Sequence, residues 1–317
     1  MDRRGYIGSS DIAAIIGLSP FKTAYEVWEE KTADTWEESD NPILRRGRRA
    51  EPFLLETLKG EFDVWVIDAN QRVEHPEFSF LRAESDFRYV IDGEGVPDGT
   101  LPELPAWGGT QNIGHGEIKS VGFNRGEWGE SGSQDVPPYY LAQAMFAMQI
   151  NKLPEATIWG CFGFDDIRPY RFDFDPEAGK ALEDAAVNFW KNHIVPKVPP
   201  ATKTAEDCKK VLARFQGFTW EATAEALQAA QELKNVKRSI KLLVAEEESK
   251  TKAFLDHLIL AAEVYGIAPS ESKNVTILAP GGAKFATWNE QHRASYTVKE
   301  TDFHVLRFAG AGKKGEE

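Results

Sequence analysis

In the segment Gly116-Glu117-Ile118-Lys119-Ser120 an acid and a lysine stand two residues apart around an apolar residue. On a β-strand, side chains alternate between the two faces, so Glu117 and Lys119 share one face while Ile118 points to the other, into a core. That pair suits phosphodiester chemistry. The carboxylate binds a divalent cation, and the lysine orients or deprotonates the attacking water and offsets the developing negative charge. A second acid is needed for the cation, and Asp86, in Leu81-Arg82-Ala83-Glu84-Ser85-Asp86, stands in the preceding apolar segment. A hairpin from there to Glu117 brings the two carboxylates together. Acid-x-Lys triplets arise by chance roughly once in a chain of this length. Others occur at Glu29-x-Lys31, Glu232-x-Lys234, Glu248-x-Lys250 and Glu271-x-Lys273, mostly in helical or loop sequence, where a solvated ion pair explains them. Glu117-x-Lys119 combines a strand setting, an apolar middle residue and an upstream aspartate. By spacing alone, an exposed strand ion pair stays open as the other reading.

The elements that must position these residues are legible in outline. Residues 8–17 read as a short helix with a serine N-cap and a glycine stop. The capping box Thr23-x-x-Glu26 opens a second helix over 23–31. A third runs through roughly 44–59, with Pro52 in its first turn or at a kink. Strands are expected at 62–67, 71–74, 79–91 and 115–121, with a Gly/Pro-rich loop at about 92–114. An amphipathic helix at 138–150, strands at 156–163 and 168–174, and a helix near 177–193 complete the series before the prolines of 196–200. This order predicts an α/β (α+β) fold with a central mixed β-sheet flanked by helices over residues 1–200. Residues 201–317 form a helical C-terminal extension. Within it, 222–264 reads as a long helix or an antiparallel hairpin with apolar positions at Leu233, Val236, Ile240, Leu243, Phe254 and Leu258. Packing on the core is its expected role, assembly the alternative. Short strands at Val275–Leu278, Lys284–Trp288 and Tyr296–Val298 follow.

Composition sets limits rather than a direction. Hydrophobic residues make up 42% and charged residues 27%, so a packed core is expected. No run approaches the ~18 apolar residues of a membrane span, and Asp11 sits wrongly for a signal peptide. The two cysteines, Cys161 and Cys208, exclude a disulfide framework, a zinc site of cysteines alone and a four-thiolate iron–sulfur cluster, and a reducing cytoplasm is the default. The net charge of −13 opposes a globally basic nucleic-acid binder, yet a nuclease needs only local basic patches. Arg45, Arg46, Arg48 and Arg49 supply a dense one, and Arg3 and Arg4 a smaller one.

Five motifs in order carry a resemblance. They are Ile7-Gly8-Ser9-Ser10-Asp11-Ile12-Ala13, Arg46-Gly47-Arg48-Arg49-Ala50-Glu51-Pro52, Ser85-Asp86, Glu117-Ile118-Lys119, and Tyr140-Leu141-Ala142-Gln143. Over about residues 3–175 the chain resembles the YqaJ-type viral recombinase family, which includes lambda exonuclease and belongs to the PD-(D/E)xK nucleases. The 288–308 tail looks more loosely like the ends of longer members. The resemblance implies a restriction-endonuclease-like core and a Mg²⁺-dependent (Mn²⁺ substituting) 5′→3′ exonuclease acting on double-stranded DNA ends; the alternatives are a PD-(D/E)xK endonuclease or repair nuclease, or a non-catalytic DNA-binding protein with a degenerate nuclease core. It also implies a single-strand annealing partner and a ring-shaped homo-oligomer.

By the same resemblance, Asp86 and Glu117 hold the metal with the carbonyl of Ile118, and Lys119 positions the water. Glu51 supports the second metal or the water, and Gln143 orients Lys119 or the phosphate. Arg3 and Ser10 fall where the family's exonucleases bind a 5′-phosphate, and Arg46, Arg48 and Arg49 track the DNA backbone. Read without it, Ser10 is an ordinary N-cap, Glu51 a solvated first-turn acid, Gln143 a plain helix residue and the arginine run a solvated face. Tyr139, Tyr140, Met145, Phe146 and Met148 read as core. The family commonly carries Pro-Asp-Gly at the metal aspartate, whereas this chain has Ser85-Asp86-Phe87 there and a literal Pro97-Asp98-Gly99 in the loop. Asp86 has the strand setting, and Asp98 is its alternative.

Overall fold

The computed structural model describes residues 2–35, 42–62, 64–91, 113–122, 125–163, 166–215, 219, 221–266 and 274–289. The chain divides into two compact units, residues 1–214 and 215–317. Among the described residues no helix is long and apolar enough to cross a membrane. Residues 92–112, with Asp98, lie outside the described residues, as do 296–298.

The first unit opens with β1 (Ile7–Gly8), α1 (Ser9–Ile15), α2 (Ala24–Thr32) and α3 (Pro42–Glu61). The strands β2 (Val66–Glu74), β3 (Leu81–Val90) and β4 (Ile113–Ser120) follow, and α4 (Pro138–Asn151) then crosses to β5 (Glu155–Cys161). β6 (Ile167–Asp173), α5 (Pro176–Phe189) and α6 (Ala205–Leu212) end it. The sheet order is β1-β3-β4-β5-β6, with β2 on the other edge of β3. β1/β3 and β4/β5 are parallel, and β2/β3, β3/β4 and β5/β6 antiparallel. The parallel β4/β5 pair requires a crossover, which α4 supplies. A central mixed sheet flanked by helices is therefore what the chain forms.

Each face has its own core. On one face, Phe146, Ala147 and Ile150 of α4 pack with Ile12, Tyr25, Leu81 and Ala83, while Ala144, Met145 and Met148 pack with Ala156, Ile158, Tyr170 and Phe172. On the other, Leu58 of α3 meets Phe87, Tyr89 and Trp159. Gly116 must lack a side chain, because a Cβ there would lie 2.4 Å from the Phe87 ring.

Several local expectations are corrected. Gly8, not a serine, caps α1, and its N–H is bound by the Asp11 carboxylate, so Ser9 and Ser10 lie inside the helix. Pro52 sits in the interior of a 20-residue helix, not its first turn. Residues 66–67 and 71–74 of the two expected strands belong to one strand, β2, and residues 62, 64 and 65 are not part of it. α6 was not anticipated. It is capped by Thr204, and Asp207 and Lys210 tie it to Thr23, Glu26 and Glu29 of the α2 region.

In the second unit, 222–264 is no hairpin. α7 (Ala224–Val264) is one 41-residue helix, because nothing between its ends is Gly or Pro to break it. None of its residues is buried. The hairpin of β7 (Asn274–Leu278) and β8 (Lys284–Asn289) turns at Gly281 and Gly282, whose φ of 97° and 88° suit glycine.

Candidate active site

β4 places Glu117 and Lys119 on the face that α4 covers. Glu117 is buried. Its Oε1 accepts from Lys119 Nζ at 2.5 Å and from Gln143 Nε2 of α4 at 2.6 Å. Lys119 Nζ also donates to Gln143 Oε1 at 3.2 Å, which closes a three-residue ring of hydrogen bonds. Tyr140, one turn before Gln143, lays its ring 4.9 Å from Lys119 Nζ. The other Glu117 oxygen lies 3.2 Å from His115 Nε2, and His115 Nδ1 meets Ser85 Oγ at 2.7 Å. Burial by itself pushes the Glu117 carboxyl up, but Lys119 and His115 overcome this and hold it down at about 2. For Lys119, burial works against the charge, and Glu117 and Asp86 outweigh it, so the ammonium is held above its usual range.

Asp86 is set by a break in the sheet. β1 and β4 both occupy the edge of β3 opposite β2, β1 at Leu81–Arg82 and β4 from Phe87 onward. Between them, among the described residues, that edge has no strand partner. There the Asp86 carboxylate takes over, accepting from the Ile118 backbone N–H at 2.7 Å. The strand also changes face here. Leu81 and Ala83 pack on the α4 side, whereas Phe87 and Tyr89 pack on the α3 side. Asn70 of β2, at the level of Asp86, has a left-handed φ of 55°, and its neighbours Ala69 and Gln71 resume the ladder with Phe87 and Ser85.

The acids of this region oppose one another. Burial first, then Glu117, raises the Asp86 carboxyl well above its ordinary value. Glu51 of α3, half-buried, is raised by burial and by Glu117 and Glu84. Carboxylates that raise one another in this way suit a cation, which removes the repulsion. Among the described residues no three His, Cys, Asp or Glu side chains converge to hold an ion unaided. The Asp86 and Glu117 carboxylates are the oxygen donors present here that would suit a divalent ion.

A second cluster surrounds α1. Arg3 donates to Ser10 Oγ at 2.7 Å, and Arg3, Lys31, Arg72 and Arg82 ring the face of Tyr6 at 4.8–5.9 Å. Asp11 turns inward, 2.9 Å from the buried Lys31 Nζ. The charge that would oppose an anion near Ser10 is thus neutralised.

The structure therefore brings Asp86, Glu117, Ile118, Lys119 and Gln143 into one site with Glu51 beside it, and Arg3 with Ser10 into another. Arg46, Arg48 and Arg49 are exposed on the helix that carries Glu51. Sequence reasoning missed His115, Ser85 and Tyr140 as members. His115 had a signal, because it precedes Glu117 by two residues and so shares its face. Tyr139, Met145, Phe146 and Met148 are buried as expected.

Residues 1–154 match the YqaJ-like viral recombinase domain. The uncharacterized protein YqaJ of Bacillus subtilis (strain 168) is 22% identical over 234 residues, 73% of this chain and 66% of that protein, just under two thirds of its length. Among solved structures, an alkaline exonuclease from Laribacter hongkongensis is 15% identical over 67% of this chain and 96% of its own, with a TM-score of 0.44. A phage-related exonuclease from Haemophilus somnus 129PT is 12% identical over 61% of this chain and 96% of its own, with a TM-score of 0.38.

Proposed function

We propose that the chain, whose residues 1–154 match the YqaJ-like viral recombinase domain, is a metal-dependent exonuclease that digests linear double-stranded DNA 5′→3′ and leaves 3′ single strands. The observation that carries this reading is the convergence of Asp86, Glu117 and Lys119, with Asp86 joined to the backbone of Ile118 and Lys119 held by Glu117 and Gln143. Asp86 and Glu117, with the Ile118 carbonyl, would hold Mg²⁺, or Mn²⁺ in its place. When bound, such an ion neutralises charge on the phosphoryl oxygens. Lys119, fixed by two acceptors, places an ammonium where the attacking water and the developing negative charge meet. Gln143 keeps Lys119 and Glu117 in register with each other. Glu51 supports the water or a second ion. Arg46, Arg48 and Arg49 take the DNA backbone, and Arg3 with Ser10 takes the terminal 5′-phosphate. The products suit a single-strand annealing partner, in the cytoplasm of a bacterium or phage-infected cell, and a ring-shaped homo-oligomer would retain one strand between cuts.

The test is digestion of duplex DNA with Mg²⁺, comparing 5′-phosphorylated ends, 5′-hydroxyl ends and closed circles. The expected result is preferential loss of linear, phosphorylated DNA, with Lys119→Ala slower by roughly 10²–10³-fold. Cutting of circles moves the assignment to an endonuclease. Absence of metal-dependent cleavage on every substrate overturns the nuclease reading.

A further inference from the structure

We infer, building on the reading of Glu117 as an ion-holding carboxylate, that Ser85 and His115 form a relay that fixes its orientation, with His115 as the positioning residue and Ser85 selecting the tautomer of His115. Ile113, His115, Glu117 and Lys119 alternate onto one face of β4, the face on which Ile113 packs with Met145 and Met148 of α4. His115 and Ser85 are both buried there. A buried imidazole needs a partner for each ring nitrogen, since neither can turn to water. Nδ1 meets Ser85 Oγ at 2.7 Å, and Nε2 stands 3.2 Å from Glu117 Oε2. Among the described residues Nε2 has no aligned hydrogen-bond partner. The Glu117 oxygen beside it is therefore the acceptor on which that buried nitrogen depends.

These two contacts decide the tautomer. An ionised carboxylate only accepts, so the nitrogen that faces it carries the proton. Nδ1 is then the acceptor, and the Ser85 hydroxyl donates to it. The opposite tautomer would set a lone pair against the carboxylate. A carboxylate offers about four lone-pair positions. Two on Oε1 are taken by Lys119 Nζ and Gln143 Nε2, and His115 faces Oε2, which leaves one position on Oε2 for a cation. Lys119 and Gln143 hold Oε1 alone, so they leave the carboxylate free to turn about that oxygen. His115 supplies the second point that fixes its plane. Ser85 also adjoins Asp86, and both lie beyond the β3/β4 ladder, which starts at Phe87 and Gly116. In that stretch the strands are joined by two side-chain bridges, Ser85 to His115 and Asp86 to the Ile118 backbone. Each bridge sits next to, or includes, one of the two carboxylates.

Two measurements on the full chain test the relay. The first needs no ion. Imidazole nitrogen NMR of the metal-free protein, with the His115 signal identified by its loss in His115→Gln, should show the Nε2–H tautomer, and Ser85→Ala should relax it to a mixture. A His115 fixed as the Nδ1–H tautomer overturns the proposal. The second is calorimetric titration with Mg²⁺ and with Mn²⁺, beside kcat and KM on linear duplex DNA. His115→Leu should weaken ion binding by roughly 10–100-fold and lower kcat while KM for DNA holds. His115→Gln, whose amide nitrogen reaches the place of Nε2, should recover most of that loss. Ser85→Ala should lose less, in the same pattern, and S85A/H115L should bind no more weakly than H115L. Melting in EDTA reports the fold, and should His115→Leu not fold, Ser85→Ala and His115→Gln carry the comparison. Wild-type ion affinity in Ser85→Ala and His115→Leu, a Gln variant as weak as the Leu variant, or additive losses in the double variant would each overturn the relay while wild-type cleavage leaves the nuclease reading standing. A wild type that binds neither ion overturns both.

Discussion

Asp11 is a buried charge kept by its neighbours. Burial alone would raise its carboxyl, but Lys31, Arg3 and Lys22 hold it down at about 2, below the ordinary 3.8. Because the folded value lies below the unfolded one, Asp11 contributes stability that is full above 3.8 and disappears as pH falls through that value toward 2. Asp11→Asn keeps the shape and strips the charge, which leaves Lys31 buried beside a neutral group. Denaturant unfolding at neutral pH should show a loss of about 3–5 kcal/mol, and the variant should lose less stability than wild type over that acid window. The sequence showed Asp11 only as a residue awkward for a nearby anion. Its inward turn toward Lys31, twenty residues on, rests on the packing of α1 against α2. His115 is the reverse case, a residue readable from strand alternation alone once Glu117 is chosen.

At the scale of elements, the sheet is built to interrupt itself at the site. β3 changes face between Ala83 and Phe87, and β2 accommodates this at Asn70 with a left-handed φ of 55°. Asparagine tolerates that conformation better than residues with larger branched side chains. Asn70→Val should therefore destabilise the protein by roughly 1–2 kcal/mol and disturb Asp86, whereas Asn70→Gly should be close to neutral. Thermal unfolding of the two variants side by side checks this, and equal losses would show that backbone strain is not what Asn70 relieves. Strand positions were legible to within a few residues because apolar alternation is a local signal. The irregularity was not, since Asn70 and Asp86 are ordinary residues until the two strands lie side by side.

At the scale of the whole molecule, every residue assigned to the site lies in the first unit, which has cores of its own on both faces of its sheet. A fragment of residues 1–214 should fold cooperatively and keep metal-dependent digestion of linear DNA. Cooperative unfolding followed by fluorescence, beside the digestion assay, tests this, and a fragment that fails to fold would show that the second unit is needed for stability. The net charge of −13 is spread over a chain whose cationic side chains gather locally, around Tyr6 and along the start of α3.

What residue order alone determined is what depends on short spacing. Alternation put Glu117 and Lys119 on one face, Thr23-x-x-Glu26 opened a helix, and the absence of Gly and Pro over 224–264 kept that stretch helical. The pairing of Asp86 with the Ile118 backbone, the grip of Gln143 on Lys119, the burial of Asp11 and the addition of α6 were decided only by tertiary structure. Each joins groups separated by 20 to more than 180 residues in the chain. Such contacts arise from sheet order and helix packing, for which no local period exists to be read.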